Sequence, residues 1–221
     1  LLEHLVELRF RLMWSVASII VLFVAVFPFA EHIYQFLVQP LADVFEEIGG
    51  QRRLIFTALH EAFFTYIKLS LITALFIAFP FISMQFWMFV APGLYKQEKQ
   101  ALVPFLVATP VLFFTGGAMV YYIVMPWAYE FLLNFELEGG PGTLAIVSEP
   151  KVNEYLSLSI NLIFAFGICF ELPVVLTLLG RIGIVSSKGM KEKRKYAVLI
   201  AFIVAAVITP PDVISQVLLA S

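Results

Sequence analysis

The stretch at residues 155–179, YLSLSINLIFAFGICFELPVVLTLL, decides the fold class of this chain. A helix of these 25 residues, rising about 1.5 Å per residue, spans the ~30 Å hydrocarbon core of a bilayer. Glu171 is its only acidic or basic side chain, and a charge at membrane depth costs roughly 2.5–3.5 kcal/mol on insertion scales. Pro173 also leaves the carbonyl of Cys169 without its usual helical amide partner. Because the buried charge and the unpaired carbonyl occur within a few residues of each other, this part of the helix is expected to have a function.

The composition of the whole chain agrees with a membrane protein. Hydrophobic residues make up 61% and charged residues 14%, whereas soluble domains have about 45–50% and about 25%. The apolar runs are too many, and several too long, for a signal peptide. The single cysteine, Cys169, lies inside a predicted span, so no disulfide framework is present. We therefore predict an all-α, polytopic membrane protein.

Six apolar segments predict six transmembrane helices in a single domain that covers residues 1–221. The predicted spans are about 12–30, 66–89, 101–126, 155–179, 196–209 and 213–221. The fifth helix has about 14 residues, near ~21 Å, so we expect it to thin the bilayer. The sixth is also short, because the sequence stops at Ser221. Since no methionine precedes Leu1, we expect the sequence to be trimmed at both ends.

The distribution of Lys and Arg predicts the orientation of these helices. Ten basic residues fall on the side of the N-terminus and only four on the other side. Short Lys/Arg-rich loops stay in the cytoplasm, so we predict an N-in/C-in topology. The first outer loop contains EHIYQFLVQPLADVF at residues 31–45, with apolar residues at helical spacing. It predicts a short interfacial helix, interrupted by Pro40, within a packed periplasmic cap.

Two acidic residues lie near the cytoplasmic side in this topology. Glu7 belongs to LLEHLVELRFRL at residues 1–12 and can pair with Arg11 at the i, i+4 spacing. Glu98 follows a Pro-Gly turn in the second cytoplasmic loop. Taken alone, the first segment is an amphipathic lead-in to a span, and the second acid is a solvated loop residue.

Four motifs together resemble the TatC family, the polytopic subunit of the twin-arginine protein translocase. They are EHLVELRFRL (3–12), QFWMFVAPGLYKQEKQ (85–100), AFGICFELPVVL (165–176) and ITPPDVISQ (208–216). Each motif alone is weak, but the four occur in order within one topology and cover essentially the whole chain.

The resemblance implies a receptor for folded precursors with an Arg-Arg signal peptide, and it implies roles for specific residues. Glu98 and Glu7 would recognise the arginine pair. The remaining positions that match functionally sensitive positions of the family are Arg9, Arg11, Phe89, Pro40, Glu171, Asp212 and Gln216. Asp212 and Gln216 match the acidic and amide positions at the start of the last span, where partners would dock.

The resemblance also implies partners and a source of energy. TatA- and TatB-type single-span proteins would assemble with the chain, and a homo-oligomer within the translocase is compatible with it. The proton-motive force would drive export, and the sequence contains no P-loop for nucleotide hydrolysis. We expect a multi-pass protein of the cell membrane, or of the thylakoid membrane in a plastid, with no cofactor, metal or nucleic acid.

The physics of the residues fits this receptor. Arginine presents a planar fork that matches carboxylates, so two arginines favour two carboxylates on one side of the membrane. At helical spacing, Ser157, Asn161 and Glu171 fall on one face of the fourth predicted span, which predicts that Glu171 lines a polar, water-accessible groove.

Two other classes of protein compete with the receptor. A proton-coupled transporter or channel would use Glu171 as a proton relay, but there is no second intramembrane acid at mid-depth, no internal repeat and no basic partner within a span. An enzyme is disfavoured, because HExxH and Gly-x-Ser-x-Gly motifs are absent and the three histidines lie outside the predicted spans.

Overall fold

The computed structural model describes residues 2–49, 53–90, 102–136, 144, 149–181, 187–208, 217 and 219. Within these residues the chain is helical, and its one extended contact is an isolated parallel bridge between Ile55 and Lys151. The α-helices are α1 (Leu2–Val26), α2 (Ala30–Ile48), α3 (Glu61–Val90), α4 (Leu102–Met119), α5 (Met125–Leu133), α6 (Val152–Cys169), α7 (Leu172–Arg181) and α8 (Ser187–Ile208). A 3₁₀ turn, Phe27–Phe29, links α1 to α2, and a π-helical segment, Val120–Val124, links α4 to α5.

Four helical stretches among the described residues are long and apolar enough to cross a membrane. They are His4–Ile48, Glu61–Phe89, Pro104–Leu133 and Val152–Gly180. The predicted all-α membrane class is therefore confirmed. The count of six spans and the N-in/C-in orientation stay predictions, since most of the predicted sixth span lies outside the described residues.

Helix α1 and helix α3 run antiparallel, side by side. The His4 ring stacks on Phe89 with ring centroids 4.4 Å apart, while the Tyr34 and Tyr66 rings meet 6.2 Å apart near the opposite end of α3. We call the end of the bundle with His4 and Phe89 the amino-terminal end. The opposite end, where α2 finishes and α3 begins, is the far end.

The main hydrophobic core lies towards the far end, between α2, the π-helical segment, α5 and α6. Its buried side chains include Leu37, Leu41, Val44, Val120, Val124, Met125, Leu133, Leu156 and Leu162. Helix α1, by contrast, exposes large apolar side chains such as Val6 and Val21, each 67% exposed. An apolar face of this kind suits contact with lipid.

The segment around Pro40 forms the predicted short helix, but α2 continues through Pro40 instead of being interrupted there. Pro40 is buried and has no N–H, so the carbonyl of Phe36 lacks its helical donor. The Tyr121 hydroxyl donates to that carbonyl oxygen at 2.7 Å. The Tyr155 hydroxyl donates to the neighbouring Leu37 carbonyl at 2.6 Å. These two tyrosines therefore hold α2 against the bundle where its own hydrogen-bond ladder is broken.

Helices α4 and α6 cross at two glycines. A Cβ added to Gly116 would lie 2.8 Å from the Phe166 carbonyl oxygen. A Cβ added to Gly167 would lie 2.7 Å from Cε2 of Phe113, a fully buried side chain. Small residues at such a crossing let two backbones approach closely, as is common between membrane helices.

Candidate functional site

The first candidate acid, Glu7, is paired with Arg11 on helix α1. The Arg11 Nη2 and Nε atoms both donate to Glu7 Oε1, at 2.6 and 3.0 Å. The pairing predicted from the i, i+4 spacing is thus confirmed. The Glu7 side chain is 31% exposed and that of Arg11 only 18%, so the carboxylate is the more accessible partner.

Two residues outside the predicted site complete this cluster at the amino-terminal end. Arg11 Nη1 donates to Gln85 Oε1 on α3 at 3.4 Å. His4 Nδ1 lies 3.8 Å from Glu7 Oε2, and its ring stacks on Phe89. The packing of α1 on α3 therefore brings the predicted site residues Glu7, Arg11 and Phe89 together, with His4 and Gln85 between them.

Gln85 and His4 lie inside the motifs that carry the family resemblance, but composition and spacing give them no role. Their place in the cluster depends on the antiparallel register of α1 and α3. Arg9 is exposed on α1. Glu98 lies outside the described residues, so its predicted position beside Glu7 stays a prediction.

Glu171 occupies the break between α6 and α7. Helix α6 ends at Cys169 and α7 begins at Leu172, with the Glu171 amide bonded to the Ile168 carbonyl at 3.0 Å. The predicted span at 155–179 is therefore divided into two helices, and the break lies at the acid, two residues before Pro173.

The polar side chain of Thr109, on α4, lies near the Glu171 carboxyl. Trp87 Nε1 of α3 in turn donates to Thr109 Oγ1 at 3.1 Å, and both of these side chains are buried. The Oε1 atom of Glu171 is buried and has no hydrogen-bond partner among the described residues.

The predicted polar groove around Glu171 is not part of the large cavity in the described structure. That cavity has a volume of about 450 Å³, and its walls, from α2, α3, the α4–α5 region and α6, are almost entirely apolar and do not include Glu171. Because the helix breaks before Glu171, the helical alignment with Ser157 and Asn161 does not extend to it. Ser157 instead accepts a hydrogen bond from Lys68 Nζ at 2.7 Å. The groove stays a prediction.

The remaining candidate residues divide between the far end and the undescribed part of the chain. Pro40 is buried in α2, as described above. Asp212 and Gln216 lie outside the described residues. In the part of the chain that the structure describes, no group of three or more His, Cys, Asp or Glu side chains could hold a metal ion.

A bundle of apolar, membrane-length helices with a charged cluster at one end defines a multi-pass membrane protein. The family model for the Sec-independent protein translocase protein (TatC) matches residues 3–221. Two bacterial relatives carry that name. The one from Magnetococcus marinus is 51% identical over 220 residues, covering 100% of this chain and 78% of the relative. The one from Rickettsia prowazekii is 43% identical over 220 residues, covering 99% and 85%.

A solved structure agrees with these relatives. The crystal structure of the twin arginine translocase receptor TatC superposes with a TM-score of 0.81 at 38% identity, covering 98% of this chain and 91% of that one. This chain belongs to the TatC family. The resemblance inferred from the four motifs is thereby confirmed, and the family is one of protein-translocase subunits, not of enzymes.

Proposed function

We propose that this protein is the receptor for precursors with an Arg-Arg signal peptide and a core subunit of the twin-arginine translocase. In that role it would export folded proteins with the proton-motive force. The observation that carries the proposal is the accessible Glu7 carboxylate in the cluster at the amino-terminal end. With the N-in orientation predicted from loop charge, this end faces the cytoplasm, where precursors arrive.

The chemistry of the cluster suits an arginine ligand. Among the described residues, His4 Nδ1 lies 3.8 Å from Glu7 Oε2, a distance longer than a hydrogen bond. A guanidinium approaching this oxygen would form a short charge-assisted bond. Phe89 is half-buried next to His4 and offers an aromatic wall for the chain that flanks the arginines.

Glu98 supplies the second carboxylate in this proposal. Two guanidinium groups require two acceptors, and Glu7 already shares its charge with Arg11. Arg9, exposed on the same helix, adds a positive charge near the cluster. It would therefore repel competing cations that cannot also bind the second carboxylate, Glu98.

The test is photocrosslinking of an Arg-Arg precursor to the protein in membranes that contain the whole translocase. We expect Glu7→Gln to weaken crosslinking and Glu98→Lys to abolish it, with partial recovery when a peptide arginine is changed to glutamate. Glu31→Gln, which removes an exposed acid in α2, is the matched control and should have no effect. Undiminished crosslinking in both Glu7→Gln and Glu98→Lys would refute the receptor assignment.

We further propose that Glu171, Asp212 and Gln216 contact the signal peptide or polar residues of TatA- and TatB-type partners. The buried, unpaired Oε1 of Glu171 at a helix break supports this, because a polar group from a partner would satisfy it. Glu171→Ala should reduce partner crosslinking and transport while the protein still accumulates in the membrane. Loss of the protein itself would instead indicate a purely structural carboxyl.

A further inference from the structure

The Glu7 carboxylate is occupied by an arginine of the chain itself. Arg11 directs two N–H groups of its guanidinium onto Glu7 Oε1, at 2.6 and 3.0 Å. This is the same chemical group, in the same kind of contact, that the proposed signal-peptide ligand would offer. An incoming arginine therefore meets an acid whose charge is already neutralised.

The burial of the two partners decides which one an incoming ligand reaches. Glu7 is 31% exposed, whereas Arg11 lies deeper at 18%. A ligand that approaches from solvent contacts the carboxylate first, with Arg11 below it. If Arg11 simply lost Glu7, a largely buried cation would be left without an acceptor, which carries a large penalty.

Gln85 supplies a second acceptor for Arg11. Its Oε1 already receives Arg11 Nη1, at 3.4 Å, a distance longer than the usual range for such a bond. A small movement of the guanidinium towards α3 would shorten this contact while it lengthens those to Glu7. The bond that is weak in this structure would then become the principal contact of Arg11.

We propose that Arg11 and Gln85 determine the specificity of this site, with Arg11 as an internal competitor for Glu7 and Gln85 as the acceptor that holds Arg11 when a signal-peptide arginine displaces it. This inference rests on the proposed receptor function. The exchange conserves charge, since one guanidinium replaces another on the same carboxylate. A single arginine gains little from such an exchange, so productive binding depends on further contacts by the same ligand.

The first test measures binding of a fluorescent Arg-Arg signal peptide to the full protein, with its partner subunits, in lipid nanodiscs. We expect Arg11→Gln to tighten binding by at least about fivefold, because at 4 Å one charge contributes about 1 kcal/mol even in bulk water. The advantage of the Arg-Arg peptide over a peptide with one arginine should also shrink. Arg53→Gln is the matched control, since Arg53 makes an exposed pair with Glu149 at 3.4 Å. Unchanged or weaker binding by Arg11→Gln overturns the inference.

The second test uses two substitutions of Gln85 with opposite expected effects. Gln85→Glu draws Arg11 towards α3 and should tighten binding, and the gain should vanish when Glu7→Gln is added. Gln85→Leu removes the second acceptor and should weaken binding by about two- to tenfold, the value of one hydrogen bond. If both substitutions shift the affinity in the same direction, Gln85 is only a packing residue and the inference fails.

The receptor function and the internal competition by Arg11 can be refuted separately. If the unmodified protein does not prefer the Arg-Arg peptide over a Lys-Lys peptide, the receptor function itself is refuted. If that preference is present but the Arg11 and Gln85 variants do not shift it as described, only the internal competition is refuted.

Discussion

Replacing Gly116 by alanine tests the close crossing of α4 and α6. A Cβ at this position would lie 2.8 Å from the Phe166 carbonyl oxygen, 3.0 Å from its carbonyl carbon and 3.1 Å from the Gly167 Cα. All three atoms belong to backbone, so no side-chain rotation relieves the overlap. The two helices must move apart by several tenths of an ångström, and every contact along their crossing loosens with them.

The expected magnitude is the difference between two opposing effects. Forcing an extra methyl into a packed interface costs typically about 1–3 kcal/mol. Alanine in place of glycine inside a helix returns up to about 1 kcal/mol through its higher helix propensity. We therefore expect Gly116→Ala to lower the free energy of unfolding by roughly 1–2 kcal/mol.

Gly117→Ala is the matched control, one residue along the same helix. Its added Cβ would approach Cζ of the Phe76 ring at 3.1 Å, and Phe76 borders the apolar cavity, where the ring has room to move. We expect this variant to stay within about 0.5 kcal/mol of the unmodified protein. The unfolding free energies of both variants are measured by thermal and denaturant unfolding in the same detergent. A Gly116→Ala protein as stable as Gly117→Ala would refute the steric argument.

Two further predictions concern hydrogen bonds between helices. Tyr121→Phe removes the hydroxyl that donates to the Phe36 carbonyl and should cost about 1 kcal/mol of unfolding free energy. Adding Pro40→Ala restores a backbone N–H at this carbonyl and should recover part of the loss; additive effects of the two substitutions in unfolding experiments would contradict this coupling. Trp87→Phe removes the indole N–H that donates to the buried Thr109 hydroxyl and should lower the free energy of unfolding by about 1–3 kcal/mol. Thr109→Val should cost less in the Trp87→Phe background than in the unmodified protein; equal costs in both backgrounds would show that the bond is not a stabilising contact.

Hydropathy predicts the apolar part of each described helix but not its full length. The fifth apolar segment, predicted as a helix of about 14 residues at 196–209, lies at the end of the 22-residue helix α8, Ser187–Ile208. Proline alone does not predict where the helices stop. The sequence predicts that the third apolar segment ends near Pro126, yet the helical path continues to Leu133. Pro126 stands in the first turn of α5, directly after the π-helical segment, where its missing N–H is tolerated. At Pro173, with no such segment before it, the helix does break. The sequence signal is the same in both places, so the difference comes from the local helical geometry.

The site follows a similar rule, because residues that act within one helix are predictable and contacts between helices are not. Glu7 and Arg11 are four residues apart, so their pairing follows from helical geometry. Gln85 is 74 positions from Arg11, and their contact exists only because α1 and α3 pack in one register. The motif alone therefore suggests that Arg11 belongs to the surface that binds the peptide. Its position between Glu7 and Gln85 gives it a different role, since a guanidinium held by two acceptors of its own chain has little capacity to bind another ligand. In the proposed receptor, the negative charge that attracts an arginine pair would then come from a second acid together with Glu7 Oε2, which receives no hydrogen bond from Arg11. One carboxylate would therefore be insufficient to bind both arginines.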